Sequence, residues 1–510
     1  MIRRTLILVA AFTVLGAVAS VPVMGAVGTD TSELRNAVTV EGIRSHQAAF
    51  QDAADANGGT REASTPGYDA SVDYVVAQLE DAGYEITVQG FDYFFSDDNT
   101  VPILERVEPT AISYLDGNSN FPDGDFASMT FTGNADLENT AVVGVDLAID
   151  DPASSTSGCE PTDFDGVDVG GKIALMQRGL CSFNLKATNA LAAGAAGAIV
   201  FNQGNTPDRE GLFFGTLGTP VDPDFPVVSA SFQVGVDLSE EDATANLSVD
   251  AIAETRTSKN VIANTPGGRD DRVVVVGAHL DSVPGGPGIQ DNGSGSAAIL
   301  EIALQMSELG IEPENQVRFA WWGAEESGLV GSQFYVDNLS RRETKNIALN
   351  LNFDMIGSPN FVRFVYDGDG SDTPLAGPNG SSAIENVFLD YFAGQGLATE
   401  ATAFDGRSDY GPFIAVGIPA GGLFTGAEGI KTPEEVDIYG GTAGEQYDPC
   451  YHLACDTFDN ISLEALDQMS DAAAHAVLTF AMTESAVNGT AKGKGKGVTD
   501  LQFKGSNALK

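Results

Sequence analysis

Four consecutive valines, Val273 to Val276, lead through Gly277 into His279 and Asp281. Asp291 follows at the mouth of a segment with helical spacing. An unbroken β-branched run bounded by glycine reads as a fully buried strand, which places His279 and Asp281 just past its carboxyl end. Ligands and catalytic groups of open α/β sheets collect along that edge. Imidazole and carboxylate both bind zinc, although a single such pair reads equally well as a capped strand end and a polar loop. The chain repeats the arrangement. In QVRFAWWGAEES the apolar run Val317 to Trp322 ends in Gly323, Ala324 and the adjacent Glu325 and Glu326. In NIALNLNFDMIG, Asn346 to Gly357, Asp354 stands near the end of a third run. CYHLACD, Cys450 to Asp456, puts His452 in a loop between two cysteines.

Two zinc ions about 3.5 Å apart, each keeping an open position, need about five protein side chains if one of them bridges. His279, Asp291, Glu326, Asp354 and His452 supply two nitrogen and three oxygen donors. Glu325 then lies beside a ligand without being one, the position of a general base that takes a proton from the attacking water. Asp281, two residues from His279, is placed to accept the other imidazole N–H and so fix tautomer and orientation.

The segments AHLDSVPGGPGIQDNGSG, WWGAEESGLVGS, NLNFDMIG, GRSDYGPF, GIPAGGLFTGAEGIKT and CYHLACD resemble the secreted bacterial di-zinc aminopeptidases, relatives of leucine aminopeptidase and aminopeptidase Y. The resemblance covers residues 35–100 and 250–485. It implies that His279 and Asp354 hold one zinc, that Glu326 and His452 hold the other, and that Asp291 bridges them. It further implies Glu325 as base, Tyr451 as the group that polarises the scissile carbonyl, and Arg407 as a substrate contact. The implied reaction is hydrolysis after a free, apolar, leucine-like first residue by a water that two zincs activate. Rival readings are a carboxypeptidase or acylamino deacylase on the same fold, a one-metal glutaminyl cyclase-like acyltransferase, and a non-catalytic receptor-like protein. The five intact ligand positions oppose the last two.

Residues 1–26 carry Arg3 and Arg4, an apolar stretch from Leu6 to Val18 and small residues after it. This pattern predicts a secretory signal peptide with a core too short to span a bilayer, and hence a secreted, extracellular or periplasmic protein with no membrane span. Residues 27–100 predict the first part of a catalytic domain: a helix over 30–57 marked by Leu34, Val38, Ile43 and Phe50, a second over 67–84, and then a strand. His46 in the first helix reads as structural. Residues 101–250 change texture: the β-like runs AVVGVDLAI, GGKIALMQRG, GAIVFNQGN and FPVVSASF alternate with Gly, Asp and Pro. Within them GKIALMQRGLCSFNLKATNALAAGAAGAIVFN resembles the protease-associated (PA) domain inserted in many peptidases, which implies a β-rich lid, spacer or partner contact. Residues 251–486 predict the main catalytic part, with a hairpin-like pair of strands around the turn PGGRDD. A helix over 293–309 follows, with an outward-facing Glu301, and a closing helix over 461–482 carries a structural His475. The tail, 487–510, is rich in glycine and lysine and reads as flexible. Alternating strands and helices predict an α/β three-layer sandwich on a mostly parallel sheet.

With 72 acidic and 26 basic residues the formal net charge is −46, which argues against nucleic-acid and anionic-membrane partners. An apolar content of 43% excludes general disorder. The expected partners are peptides with a free N-terminus, and the expected state is a monomer. The four cysteines suggest two disulfides in an exported chain, with three pairings open. A Cys450–Cys455 bridge would stiffen the loop carrying Tyr451 and His452 and leave Cys159 with Cys181. No CxxC pair supports the alternative, a cysteine zinc site.

Overall fold

The computed structural model describes residues 29–117 and 124–482. The signal peptide and tail expected from the sequence lie outside these residues. Two eight-stranded sheets organise the chain. The first runs in the order Glu85–Asp98, Ala251–Asn264, Asn315–Trp322, Arg269–His279, Ile347–Phe353, Ala420–Phe424, Phe364–Tyr366 and Glu400–Thr402. Its three central pairings, from Asn315–Trp322 across to Ala420–Phe424, are parallel, and antiparallel pairings flank them.

The valine run shows why helices must cover both faces. Successive strand side chains point to opposite sides. Val274 and Val276 join Val317, Phe319 and Trp321 in the larger core, beneath the helices Val40–Asp55, Pro66–Asp81, Gly293–Glu308 and Leu463–Met482. Val273 and Val275 join Ala320 and Trp322 in a smaller core closed by Tyr335, Val336 and Phe413 from the helices Val330–Asp337 and Tyr410–Ala415. Small residues open the helix Gly293–Glu308 for a steric reason: a Cβ on Gly295 would sit 2.1 Å from the Phe353 carbonyl oxygen.

Three local expectations are corrected. The helix predicted over 30–57 is two helices, Ser32–Ala37 and Val40–Asp55. The chain turns extended at Val38, and the Thr39 side chain caps the second helix by accepting from the Gly42 N–H. The strands on either side of PGGRDD do not form a hairpin. The Asn315–Trp322 strand slots between them, and both ends of the turn bond to the segment leading into and along it: Thr265 N–H to the Val317 carbonyl and Arg269 N–H to that of Glu314. The valine strand Arg269–His279, buried on both faces, needs a partner on each side, and it takes the parallel strands Asn315–Trp322 and Ile347–Phe353. Glu301 does not face solvent. The Val40–Asp55 helix covers it, and its Oε2 stands 3.1 Å from His46 Nε2, whose ring bonds Tyr74 Oη at 2.8 Å through Nδ1. His46 is thus a packed structural histidine.

The second sheet arises entirely between Ile103 and Val249. Asp98 and Ala251 are direct antiparallel partners at the edge of the first sheet, so the chain leaves and returns at neighbouring positions. That geometry lets a whole unit be inserted without disturbing the strands around it. The inserted sheet runs Ile112–Ser113, Ile103–Glu108, Thr244–Val249, Ala135–Gly144, Ile173–Gln177, Gly197–Phe201, Val227–Ala230 and Phe126–Ser128, with separate apolar clusters on its two faces. The disulfide Cys159–Cys181 lies within it, and Cys450–Cys455 closes the loop around Tyr451 and His452.

Candidate metal centre

Strand register builds the site. His279 is level with Trp322 and Gly277 with Asn352, so the parallel strands end together. The backbone then turns sharply. Ala324 precedes Glu325 and Glu326 at φ 56, Met355 follows Asp354 at φ 54, and His452 itself has φ 58, all in the left-handed region that L residues seldom enter. Strain of this kind persists where the surroundings over-determine it, as they do at functional sites.

The five predicted ligands converge. His279 Nε2 lies 3.2 Å from Asp291 Oδ1 and 3.2 Å from Asp354 Oδ1. His452 Nε2 lies 3.2 Å from Asp291 Oδ2 and 3.2 Å from Glu326 Oε2. Two triads therefore share Asp291, which offers one oxygen to each. His452 Nε2 is that close to both carboxylates yet out of hydrogen-bonding alignment with either, as donors aimed at a common cation are. Two imidazoles and three carboxylates, paired off with one bridging carboxylate, fit zinc in chemistry and number. Glu325 stands behind, 4.0 Å from His279 Nε2.

The electrostatics ask for positive charge. Burial works to discharge His279, but Asp354 and Glu325 outweigh it and hold its pKa well above the ordinary value. At His452 burial is likewise overcome, by Glu326 and Asp291, and the pKa rises to about 10. Burial pushes the Glu325 carboxyl well up, with His279 opposing and Glu326 adding to the effect. Burial thus favours the protonated form of Glu325, as a proton acceptor requires.

Asp281 plays a different part from the one expected. The His279 Nδ1–H meets the Asp281 backbone carbonyl at 3.1 Å, while the Asp281 carboxylate is 3.8 Å away. The tautomer is fixed by that carbonyl. The carboxylate accepts the Glu325 and Glu326 backbone N–H groups at 3.2 and 3.3 Å instead, because the turn after Trp322 presents both amides to it. Tyr451 stacks on His452 with ring centres 3.7 Å apart, and its hydroxyl is 3.4 Å from Arg407 Nη2. Arg407 in turn pairs with Glu428 at 2.6 Å. Both Tyr451 and Arg407 line the small cavity, about 60 Å³, over the metal ligands, together with Tyr366, Ala403 and Phe424.

Sequence reasoning missed the residues that hold these candidate ligands. Ser408 Oγ donates to Asp354 Oδ2 at 2.6 Å and accepts from Asn352 Nδ2 at 2.7 Å. Arg61, fully buried, donates to the carbonyls of Leu280, Pro287 and Gly288 and so braces the loop from His279 to Asp291. Asp456 accepts the Gln290 and Asp291 N–H groups. Two of these lay inside quoted motifs, Ser408 in GRSDY and Asp456 in CYHLACD. Nothing in the sequence pointed to Arg61.

A parallel sheet presenting carboxylates and imidazoles at its carboxyl edge, with a spare buried glutamate, defines a metal-dependent hydrolase. Comparison with known proteins names the kind. Residues 260–477 match peptidase family M28 and residues 141–238 match the PA domain. An aminopeptidase of Pseudomonas aeruginosa is 49% identical over 440 residues, 86% of this chain and 80% of its own. Leucine aminopeptidase 2 of Trichophyton equinum is 47% identical over 332 residues, 64% of this chain and 66% of its own. Among solved structures, the aminopeptidase from Aneurinibacillus sp. strain AM-1 superposes with TM-score 0.65 at 27% identity, covering 89% of this chain and 96% of that one. A zinc aminopeptidase from Bacillus subtilis does so with TM-score 0.56 at 26% identity, covering 88% and 97%. The chain belongs to peptidase family M28 and carries a PA domain. It is a zinc-dependent aminopeptidase. Among the described residues no helix is long and apolar enough to cross a membrane.

Proposed function

We propose that each chain holds two zinc ions, His279 and Asp354 on one, Glu326 and His452 on the other and Asp291 between them, and uses them to release an apolar, leucine-like first residue from peptides. The supporting observation is Asp291, whose two oxygens stand 3.2 Å from different imidazoles, each paired with its own second carboxylate. Bound zinc supplies the positive charge that acidifies water and polarises a carbonyl. Glu325 takes the proton of the attacking water and returns it to the departing amine nitrogen, so the C–N bond breaks after the new C–O bond forms. The Tyr451 hydroxyl donates to the carbonyl oxygen as negative charge builds there. Arg407, within reach of that hydroxyl, orients it and contacts substrate. Tyr366, Ala403 and Phe424 offer the first side chain an apolar wall, in keeping with the leucine named for the Trichophyton relative.

In the same reading, residues 1–26 direct export, consistent with the two disulfides. Residues 27–100 and 251–486 form the catalytic domain around an insert at 101–250, residues 487–510 are a tail, and the mature protein is a monomer. The test is a panel of aminoacyl anilides, with metal content measured on the same sample. Two zincs per chain and fastest turnover of the leucyl anilide are expected. One zinc, or preference for peptides extended at the N-terminus, would overturn the proposal.

A further inference from the structure

A second and larger cavity, of about 550 Å³, lies where the inserted domain faces the catalytic sheet. That is the size of a site for a sizeable ligand. Glu326 lines both this cavity and the small one over the metal ligands, so one ligand is a wall common to the two. The small cavity has room for little beyond a first residue. The rest of a bound peptide must run on past the metal centre, and the larger cavity begins at Glu326 and Ser327.

The chemistry of its wall is one-sided. Away from the metal centre it carries Glu62, Asp97, Asp98 and Asp116, and among the described residues none that line it is lysine, arginine or histidine. Arg256, beside the cavity's Glu62, is taken up: it pairs with Glu62 at 2.7 Å and Glu254 at 2.8 Å, and its guanidinium lies 3.4 Å from the centre of the Phe95 ring. No cation pairs with Asp98 or Asp116 among the described residues. Asp98 is exposed and Asp116 half-exposed along this wall. Apolar surface adjoins them. Phe94 from the catalytic strand and Phe131 from the insert meet edge to face at 6.4 Å, and Met129 lies alongside. An apolar wall beside unpaired carboxylates matches a side chain with an aliphatic stem and a cationic tip.

We infer that this cleft between the domains receives the downstream part of the peptide and selects substrates with a lysine or arginine there, Asp98 and Asp116 being the residues that read it. The inference rests on the aminopeptidase reading, since it is the metal centre that fixes where the peptide begins.

The test uses the full chain and leucyl peptide amides, Leu-Ala-Ala-Ala-Ala with one lysine, glutamine or glutamate moved through positions two to five. Leucine p-nitroanilide, too short to enter the cleft, reports on the metal centre. At one or two positions the lysine peptide should exceed its glutamine counterpart in kcat/KM by about tenfold and its glutamate counterpart by more. The advantage should collapse when salt rises from about 0.01 to 1 M, where the screening length falls from about 30 to about 3 Å. In Asp98→Asn/Asp116→Asn the lysine and glutamine peptides should converge while the anilide is still turned over. Equal rates at every position in the unmodified protein, or an advantage that salt does not reduce, would overturn the inference. So would an advantage undiminished in the double variant. Absence of anilide and peptide turnover alike would bring down the aminopeptidase reading first, and the inference with it.

Discussion

The Asp456 carboxylate accepts the backbone N–H of Asp291 at 2.9 Å, and its other oxygen takes that of Gln290 at 2.8 Å. The loop bearing His452 thereby grips the residue that faces both triads. In Asp456→Asn one acceptor oxygen becomes an N–H₂ group pointed at an amide, and the bridge loses its anchor. Zinc affinity should fall about 10–100-fold, the range for groups that orient metal ligands. Titration against a competing chelator checks this, and unchanged affinity would show that the bridge needs no such anchor.

Glu325→Gln separates metal binding from proton transfer. The side chain keeps its shape, and Glu325 belongs to neither triad around Asp291. Both zincs should stay bound while kcat falls about 10²–10⁴-fold, with KM changing little. Near-normal turnover would remove Glu325 from the mechanism.

Asp291→Ala takes an oxygen from each triad. The variant should lose zinc and activity together, and full zinc occupancy would contradict the bridging assignment. Chelation of the unmodified protein should also lower Tm, because ligands that bind only the folded chain stabilise it and because the buried carboxylates then face one another without a cation.

How far the sequence could be read follows from the kind of contact involved. The proposed ligands were legible because a buried strand ending in a carboxylate or histidine is a local pattern, and parallel register brings such ends together. His279, Glu326 and Asp354 are of this kind. Arg61, Ser408 and Asp456 were not legible, since each works through contacts that exist only after distant segments meet. Arg61 bonds carbonyls some 220 positions away. Glu301 was misjudged because helical spacing shows which face is apolar but not whether another helix covers the polar one. The hairpin around PGGRDD failed for a similar reason: a short turn limits the distance between two strands, yet leaves space for a third.

The Cys450–Cys455 bridge closes a short loop that holds Tyr451 and His452, with His452 at φ 58. A loop this short restricts the unfolded chain by only about 2 kcal/mol. Its larger role is to hold His452 against Asp291 and Glu326. In Cys450→Ser/Cys455→Ser, zinc loss and the drop in kcat/KM should therefore be much larger than the modest fall in Tm. Wild-type zinc affinity in a destabilised variant would reverse that assignment.

His475 gives a pH dependence separate from the metal centre. Its Nδ1 lies 2.8 Å from Thr31 Oγ1, and its ring stacks on Tyr391 at 4.8 Å, tying the first helix to the closing one. Burial, and then the charge of Arg35, push its pKa down to about 4. The folded chain thus refuses a proton that the unfolded chain accepts near pH 6.5. The stabilisation is complete above pH 6.5 and is lost as pH falls from there toward 4. Because the ring keeps some contact with water, the loss is about 1–2 kcal/mol. His475→Phe keeps the stack on Tyr391 and removes the titration. Tm measured from pH 7 to 4.5 should show the variant gaining about 1–3 °C on the wild type as pH falls, whatever its offset at neutral pH. Parallel curves would mean that His475 takes up its proton inside the folded protein as readily as outside it.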